Sequence, residues 1–85
     1  MEHSSEKALQ VAREILSKNK IKHLEIGIPE SRTGYHFNRK LPVTDVWVIS
    51  YTYMVFQEEI AFIYLDDLNG LDLLYISTKH GYITY

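Results

Sequence analysis

Residues 45–56 constrain this chain most: Asp-Val-Trp-Val-Ile-Ser-Tyr-Thr-Tyr-Met-Val-Phe. β-branched and aromatic side chains dominate the run, and such residues favour the extended backbone over the helix. Neighbouring side chains along a strand point to opposite sides. One side would carry Trp47, Ile49, Tyr51, Tyr53 and Val55, and the other Val46, Val48, Ser50, Thr52, Met54 and Phe56. Neither set is polar, whereas an antiparallel sheet with one wet face alternates more cleanly. A strand of this kind needs cover on both sides.

The flanking sequence supplies its neighbours. Residues 60–66 (Ile-Ala-Phe-Ile-Tyr-Leu-Asp) and 71–77 (Leu-Asp-Leu-Leu-Tyr-Ile-Ser) read as strands, and 82–85 as a short last one. Simple alternation puts Ile60, Phe62 and Tyr64 opposite Ala61, Ile63 and Leu65, and Leu71, Leu73 and Tyr75 opposite Asp72, Leu74 and Ile76. Gln57-Glu58-Glu59, Asp67-Leu68-Asn69-Gly70 and Thr78-Lys79-His80-Gly81 read as the turns between them, the second with the Asn-Gly signature of hairpins. Links this short make the pairing antiparallel. Residues 21–28 alternate Leu24, Ile26 and Ile28 with Glu25 and Gly27, which predicts a further strand stopped by Pro29. Residues 29–42 then read as a loop, with Tyr35 and Phe37 as a short edge strand or flap.

Only one segment is helical by pattern. In 4–18, Ala8, Val11, Ala12, Ile15 and Leu16 share one face of a 3.6-residue period. Ser4 or Ser5 can cap its start, Glu6 suits the positive end of its dipole, and Lys18 and Lys20 suit the other. Asn19 is placed to take the left-handed exit. The chain therefore predicts an α+β fold: one N-terminal helix packed on a curved antiparallel meander sheet of about four strands, in a single domain over 1–85. A helix of about four turns covers one face of such a sheet. The other face becomes the functional question, because exposed aromatic patches mark interfaces.

Composition narrows the function classes. The 85 residues include no cysteine, which excludes disulfides and thiolate metal sites and favours the cytoplasm. The polar start, 1–7, lacks the basic-then-apolar order of a signal peptide, and no run reaches the roughly 18 apolar residues of a membrane span. A formal charge of -2 argues against nucleic acid, and Arg32, Arg39 and Lys40 beside Tyr35, His36 and Phe37 are too few to reverse that. His3, His23, His36 and His80 are scattered, with no metal-ligand spacing. Asp66 and Asp67 lack the further acids of a calcium loop and read as turn residues. No nucleophile elbow or phosphate loop occurs. The reading has no catalytic residue, no cofactor and no metal.

Three functions fit. The first is a non-enzymatic protein-binding module, with Trp47, Tyr51 and Tyr53 as aromatic anchors and Glu58, Glu59, Asp66, Asp67 and Asp72 as an acidic rim for a basic partner. The second is a small-ligand site or enzyme on the concave side of the sheet, using Tyr51, Tyr53, His36 or His80. The third is a homodimer that buries the second face against its twin.

The layout also carries a resemblance. A leading helix with Ala8-Leu9-x-x-Ala12, then Val46-Trp47-Val48-Ile49-Ser50-Tyr51, then Ala61-Phe62-Ile63-Tyr64-Leu65-Asp66-Asp67 with Asn69-Gly70, resembles the cystatin-like and NTF2-like families. It is similar to small bacterial NTF2-fold immunity proteins, and the PepSY-type inhibitor domains share its helix-plus-hairpin layout. The resemblance implies binding of a toxin and its neutralisation by occlusion.

Overall fold

A computed structural model describes residues 2–36 and 43–84. Helix α1 (Ser5–Lys18) leads into β1 (Glu30–Tyr35), β2 (Thr44–Met54), β3 (Glu58–Asp66), β4 (Asp72–Thr78) and β5 (Gly81–Ile83). The strands form one antiparallel sheet in the order β1-β2-β3-β4-β5, open at both edges. The predicted class, one helix on an antiparallel meander, is what the structure has, with five strands where about four were expected. No helix among the described residues is long and apolar enough to cross a membrane.

Helix α1 starts where Ser4 accepts a 3.1 Å bond from the Lys7 amide, satisfying one of the unpaired N–H groups of the first turn. At the other end the left-handed step falls on Lys20 (φ 54), one residue later than predicted. Asn19 instead stays at φ -94 and gives its side-chain amide to the Ile15 carbonyl at 2.9 Å. The Ile21 amide then closes the exit on the Leu16 carbonyl at 2.8 Å, the wrap-around bond of a Schellman end.

The helix buries Ala8, Ala12 and Leu16 against Trp47, Ile49 and Tyr51 of β2 and Ala61, Ile63 and Leu65 of β3. These pair directly across the two strands: Trp47 with Leu65, Ile49 with Ile63, Tyr51 with Ala61. Two alanines on the buried face let the helix backbone approach the sheet, and Leu16 fills the far end.

Three expectations are corrected. The ladder predicted for 21–28 is reduced to one bridge, Ile26 opposite Tyr51, with the Leu24 and Gly27 amides bonded to the Thr52 and Ser50 carbonyls. The strand proper lies beyond Pro29, in 30–35, where a loop was predicted. Pro29 has no N–H to give a ladder, so it separates the two stretches. Strand β1 is an exposed edge strand, so it carries no apolar alternation to announce it. Gly27 packs close against Ser50, so a methyl group there would displace Ser50 Oγ. The predicted flap residue Phe37 lies outside the described residues.

Secondly, β2 ends at Met54, paired with Glu58, leaving Val55 and Phe56 in the turn rather than in the strand. Thirdly, β4 does not alternate simply. Tyr64 pairs with Tyr75 but Leu65 pairs with Leu73, so Leu74 is an extra residue, a bulge. The bulge puts Leu73 and Ile76 on the helix side and Tyr75 on the other, separating residues that plain alternation had grouped.

The β3–β4 link is a 3₁₀ turn, Asp67–Asn69, followed by Gly70 at φ 68 and Leu71 at φ 59. The Asp66 carboxylate ties it, accepting from Thr44 Oγ1 (2.6 Å), the Leu68 amide (3.1 Å) and Asn69 Nδ2 (2.7 Å). Gly70 tolerates its left-handed backbone where an L side chain is strained. Gly70→Ala is expected to cost about 1 kcal/mol in a urea titration. No loss would mean the turn relaxes without the left-handed residue.

Candidate interaction surface

The residues singled out from sequence do not share one surface. Trp47 and Tyr51 lie beneath α1, and Asp66 and Asp67 are buried in the turn network. The Trp47 indole donates to Asp67 Oδ1 at 2.9 Å. The same carboxylate accepts the Glu2 amide at 2.6 Å and the His3 amide at 3.0 Å, with His3 Nδ1 3.3 Å away. Burial alone would push the Asp67 carboxyl up. The bonds from Glu2, His3 and Trp47 outweigh it and hold the group below its ordinary value. Asp67 thus fastens the residues before α1 to the centre of the sheet.

Tyr53 is half-buried and donates its hydroxyl to Glu59 at 2.9 Å. That bond is the main reason Glu59 sits below its ordinary carboxylate value; partial burial opposes it, and His80 at 3.1 Å and Lys79 at 3.9 Å assist. The Tyr53 hydroxyl is pushed up, first by burial and then by its bond to Glu59. His80 is therefore paired with a carboxylate, while His36 is exposed just beyond β1. Glu58 and Asp72 are exposed, as an acidic rim requires. Among the described residues no group of three or more His, Asp or Glu converges as a metal set.

The face turned away from α1 is lined by other residues. Register places Val46, Val48 and Ser50 of β2 there, with Ile60, Phe62 and Tyr64 of β3 and Tyr75 of β4. Tyr35 of β1, opposite Thr44, joins the same face after a bulge between Arg32 and Tyr35. Its ring reaches across β2 to Tyr64, with centroids 5.4 Å apart. Tyr64 stacks on Tyr75 at 4.5 Å and 13°, and Tyr82 of β5 meets Tyr75 edge-on at 5.0 Å. The Tyr35 and Tyr75 hydroxyls are hydrogen-bonded to each other. Burial, then Tyr35, pushes the Tyr75 hydroxyl far up, so it stays protonated at any physiological pH. This roof explains why Val46 and Val48 are buried on the side without a helix.

The roof covers one end only. At the other end Ile28 is 87 % exposed, Ile60 50 % and Phe62 37 %. A cavity of about 440 Å³ runs along Ile60, Phe62, Glu58 and Ser77, and a smaller one of about 80 Å³ lies between Phe62, Ile28 and Arg32. The exposed charged residues in register with this face are Glu30, Arg32, Glu58 and Asp72. That is three carboxylates to one guanidinium, and Lys79 and Glu59 also line the larger cavity.

Sequence reasoning missed Tyr35, Phe62, Tyr64, Tyr75 and Tyr82 as one group. The Leu74 bulge hides Tyr75, and nothing in the polar stretch 30–35 marks it as a strand. A usable signal was the run Ile60, Phe62, Tyr64, a large apolar and aromatic set at strand spacing on one side of β3. No protein-family model, curated protein or solved structure matches the chain.

Proposed function

We propose that this chain is a non-enzymatic protein-binding module that docks a basic partner on the sheet face turned away from α1. One observation carries the reading: Ile28, Ile60 and Phe62 form an exposed apolar strip beside the tyrosine roof, bordered by Glu30 and Glu58, with Arg32 and Lys79 alongside. An apolar centre supplies burial, and an acidic border steers and orients a positively charged surface. The anchors in this reading are Phe62 and Ile60, in place of Trp47 and Tyr51, whose side chains are already packed under the helix. Glu58 keeps the rim role, while Asp72 lies beyond the tyrosines at the other end.

The resemblance to small NTF2-fold immunity proteins gives the sharper form: a bacterial, cytoplasmic immunity protein whose sheet curves about α1 and whose free face occludes a basic toxin. The helix-then-meander order supports that kinship at the level of layout.

Affinity capture from the source cell, repeated with Phe62→Glu and with Lys18→Glu on the helix, tests the reading. The expected result is a retained basic protein that elutes with rising salt, is lost with Phe62→Glu, and is kept with Lys18→Glu. An identical retained set for all three chains would remove the open face from the reading. A dimer in light scattering that Phe62→Glu dissolves, with no basic protein retained, would replace the foreign partner with a second copy.

A further inference from the structure

We propose that a second copy of this chain covers the open end of the sheet face turned away from α1, in a weak two-fold pair. The pairing stands on the face itself. Only its role as a cover that a basic partner displaces rests on the docking reading.

The free charges on this face are of both signs. Among the described residues Glu30, Arg32 and Glu58 have no ion-pair partner, while Lys79 already lies 3.9 Å from Glu59. Arg32 lines the small cavity on one side of Phe62, and Glu58 lines the large one on the other. A basic partner satisfies Glu58 and repels Arg32, whereas a second copy brings one charge of each sign.

Register fixes where these charges stand. On β2, Ser50 pairs with Phe62, Val46 with Arg32 and Met54 with Glu58. Val46 and Met54 are each four residues from Ser50, in opposite directions along β2. Strands β1 and β3 flank β2 on opposite sides, so Arg32 and Glu58 lie at opposite corners with Ser50 midway. An isologous pair matches residue i with j and j with i. Take a two-fold axis between the two faces, over Ser50 and at right angles to the line joining the corners. It sets Arg32 of each copy against Glu58 of the other. The two Glu30 residues then stay about 16 Å apart, beyond the reach of screened repulsion.

The relief of the face agrees with this pairing. The tyrosines stand on the Val46 side of Ser50, while Ile60 and the cavity of about 440 Å³ lie on the Met54 side. The same rotation lays the raised end of each copy over the hollow end of the other, where Ile60 and Phe62 gain cover. The patch so buried spans about four strands, about 15 Å across and about 25 Å along them. That is below the roughly 800 Å² a side of a stable complex, so the pair is weak and yields to a tighter ligand.

The test is sedimentation equilibrium of the purified chain from about 1 μM to about 1 mM, with charge swaps at the two corners. A monomer–dimer equilibrium is expected. Arg32→Glu and Glu58→Arg should each weaken it about tenfold, because the two-fold turns two attractions into two repulsions. Mixed together, the two variants should pair as tightly as the unaltered chain, since each then meets the opposite sign at both corners. A chain that is monomeric throughout, single swaps without effect, or a mixture no tighter than its components overturns the proposal. Trp47 emission checks that the variants fold. Should either not fold, cross-linking decides. The chain has no cysteine, so Arg32→Cys and Glu58→Cys chains can be mixed and joined by a bis-maleimide about 10 Å long, the spacing of packed sheets. Cross-linked pairs are expected in the mixture and not in either variant alone, and equal yields in all three overturn the pairing. The docking reading fails separately. A dimer with no captured basic protein removes the docking reading and leaves the pair, while a captured protein with a chain that stays monomeric removes the pair and leaves the docking site.

Discussion

Replacing Asp67 with alanine is expected to destabilise the protein by about 3 kcal/mol and to lower Tm by about 15 °C. The carboxylate is fully buried, and its loss leaves the Trp47 indole and the Glu2 and His3 amides without their acceptor. The Trp47 indole would be orphaned in a buried site, where an unmet donor is costly, while the Glu2 and His3 amides are part-buried and lose their fastening. Asp72→Ala, an exposed acid in the next strand, is the control and should stay within about 0.5 kcal/mol. A fall of less than about 1 kcal/mol for Asp67→Ala would mean that the residues before α1 are not fastened as described.

The same carboxylate predicts an acid limb. Its folded value is depressed below the ordinary 3.8, so its contribution is complete above that value and disappears as pH falls through the folded one. Glu59 is shifted in the same direction. Tm should therefore be level as pH falls from 7 to about 5 and decline below about 4, with a shallower decline in the Asp67→Ala variant. A decline that sets in already at pH 6 would point to another group.

Leu16→Ala should cost about 3 kcal/mol in urea unfolding followed by Trp47 fluorescence. The side chain is fully buried at the far end of the helix–sheet contact, where Ala8 and Ala12 supply little volume of their own. A 14-residue helix is marginal alone, so weakening its anchor weakens the helix itself. Ellipticity near 222 nm and tryptophan emission should be lost together, at the same urea concentration. Separate transitions would show that the helix can leave while the sheet persists.

Much of this architecture is legible in the residues. Ser4 and the 3.6-residue spacing from Ala8 to Leu16 define the helix because one face must be buried and the first turn must be capped. The long run around Trp47 defines the central strand because both of its sides find cover, helix on one and tyrosines on part of the other. What stays hidden has physical causes. Strand β1 buries almost nothing, so no alternation marks it. The single extra residue Leu74 reverses the facing of everything before it relative to Tyr75, and no local pattern distinguishes a bulged strand from a regular one. The acids chosen as a rim divide for the same reason: Asp66 and Asp67 satisfy donors inside the turn, while Glu58 and Asp72 face water.

The bulge between Arg32 and Tyr35, with Gly34 at φ 65, has a consequence for polymerisation. An intact edge strand is a template on which another chain can add its own backbone, the route to fibrils. Here the β1 edge is kinked and carries Glu30 and Arg32, and the opposite edge is split between the short β5, Gly81–Ile83, and the bulged start of β4. Neither is a straight template of useful length. Among the described residues, both edges therefore disfavour growth strand upon strand.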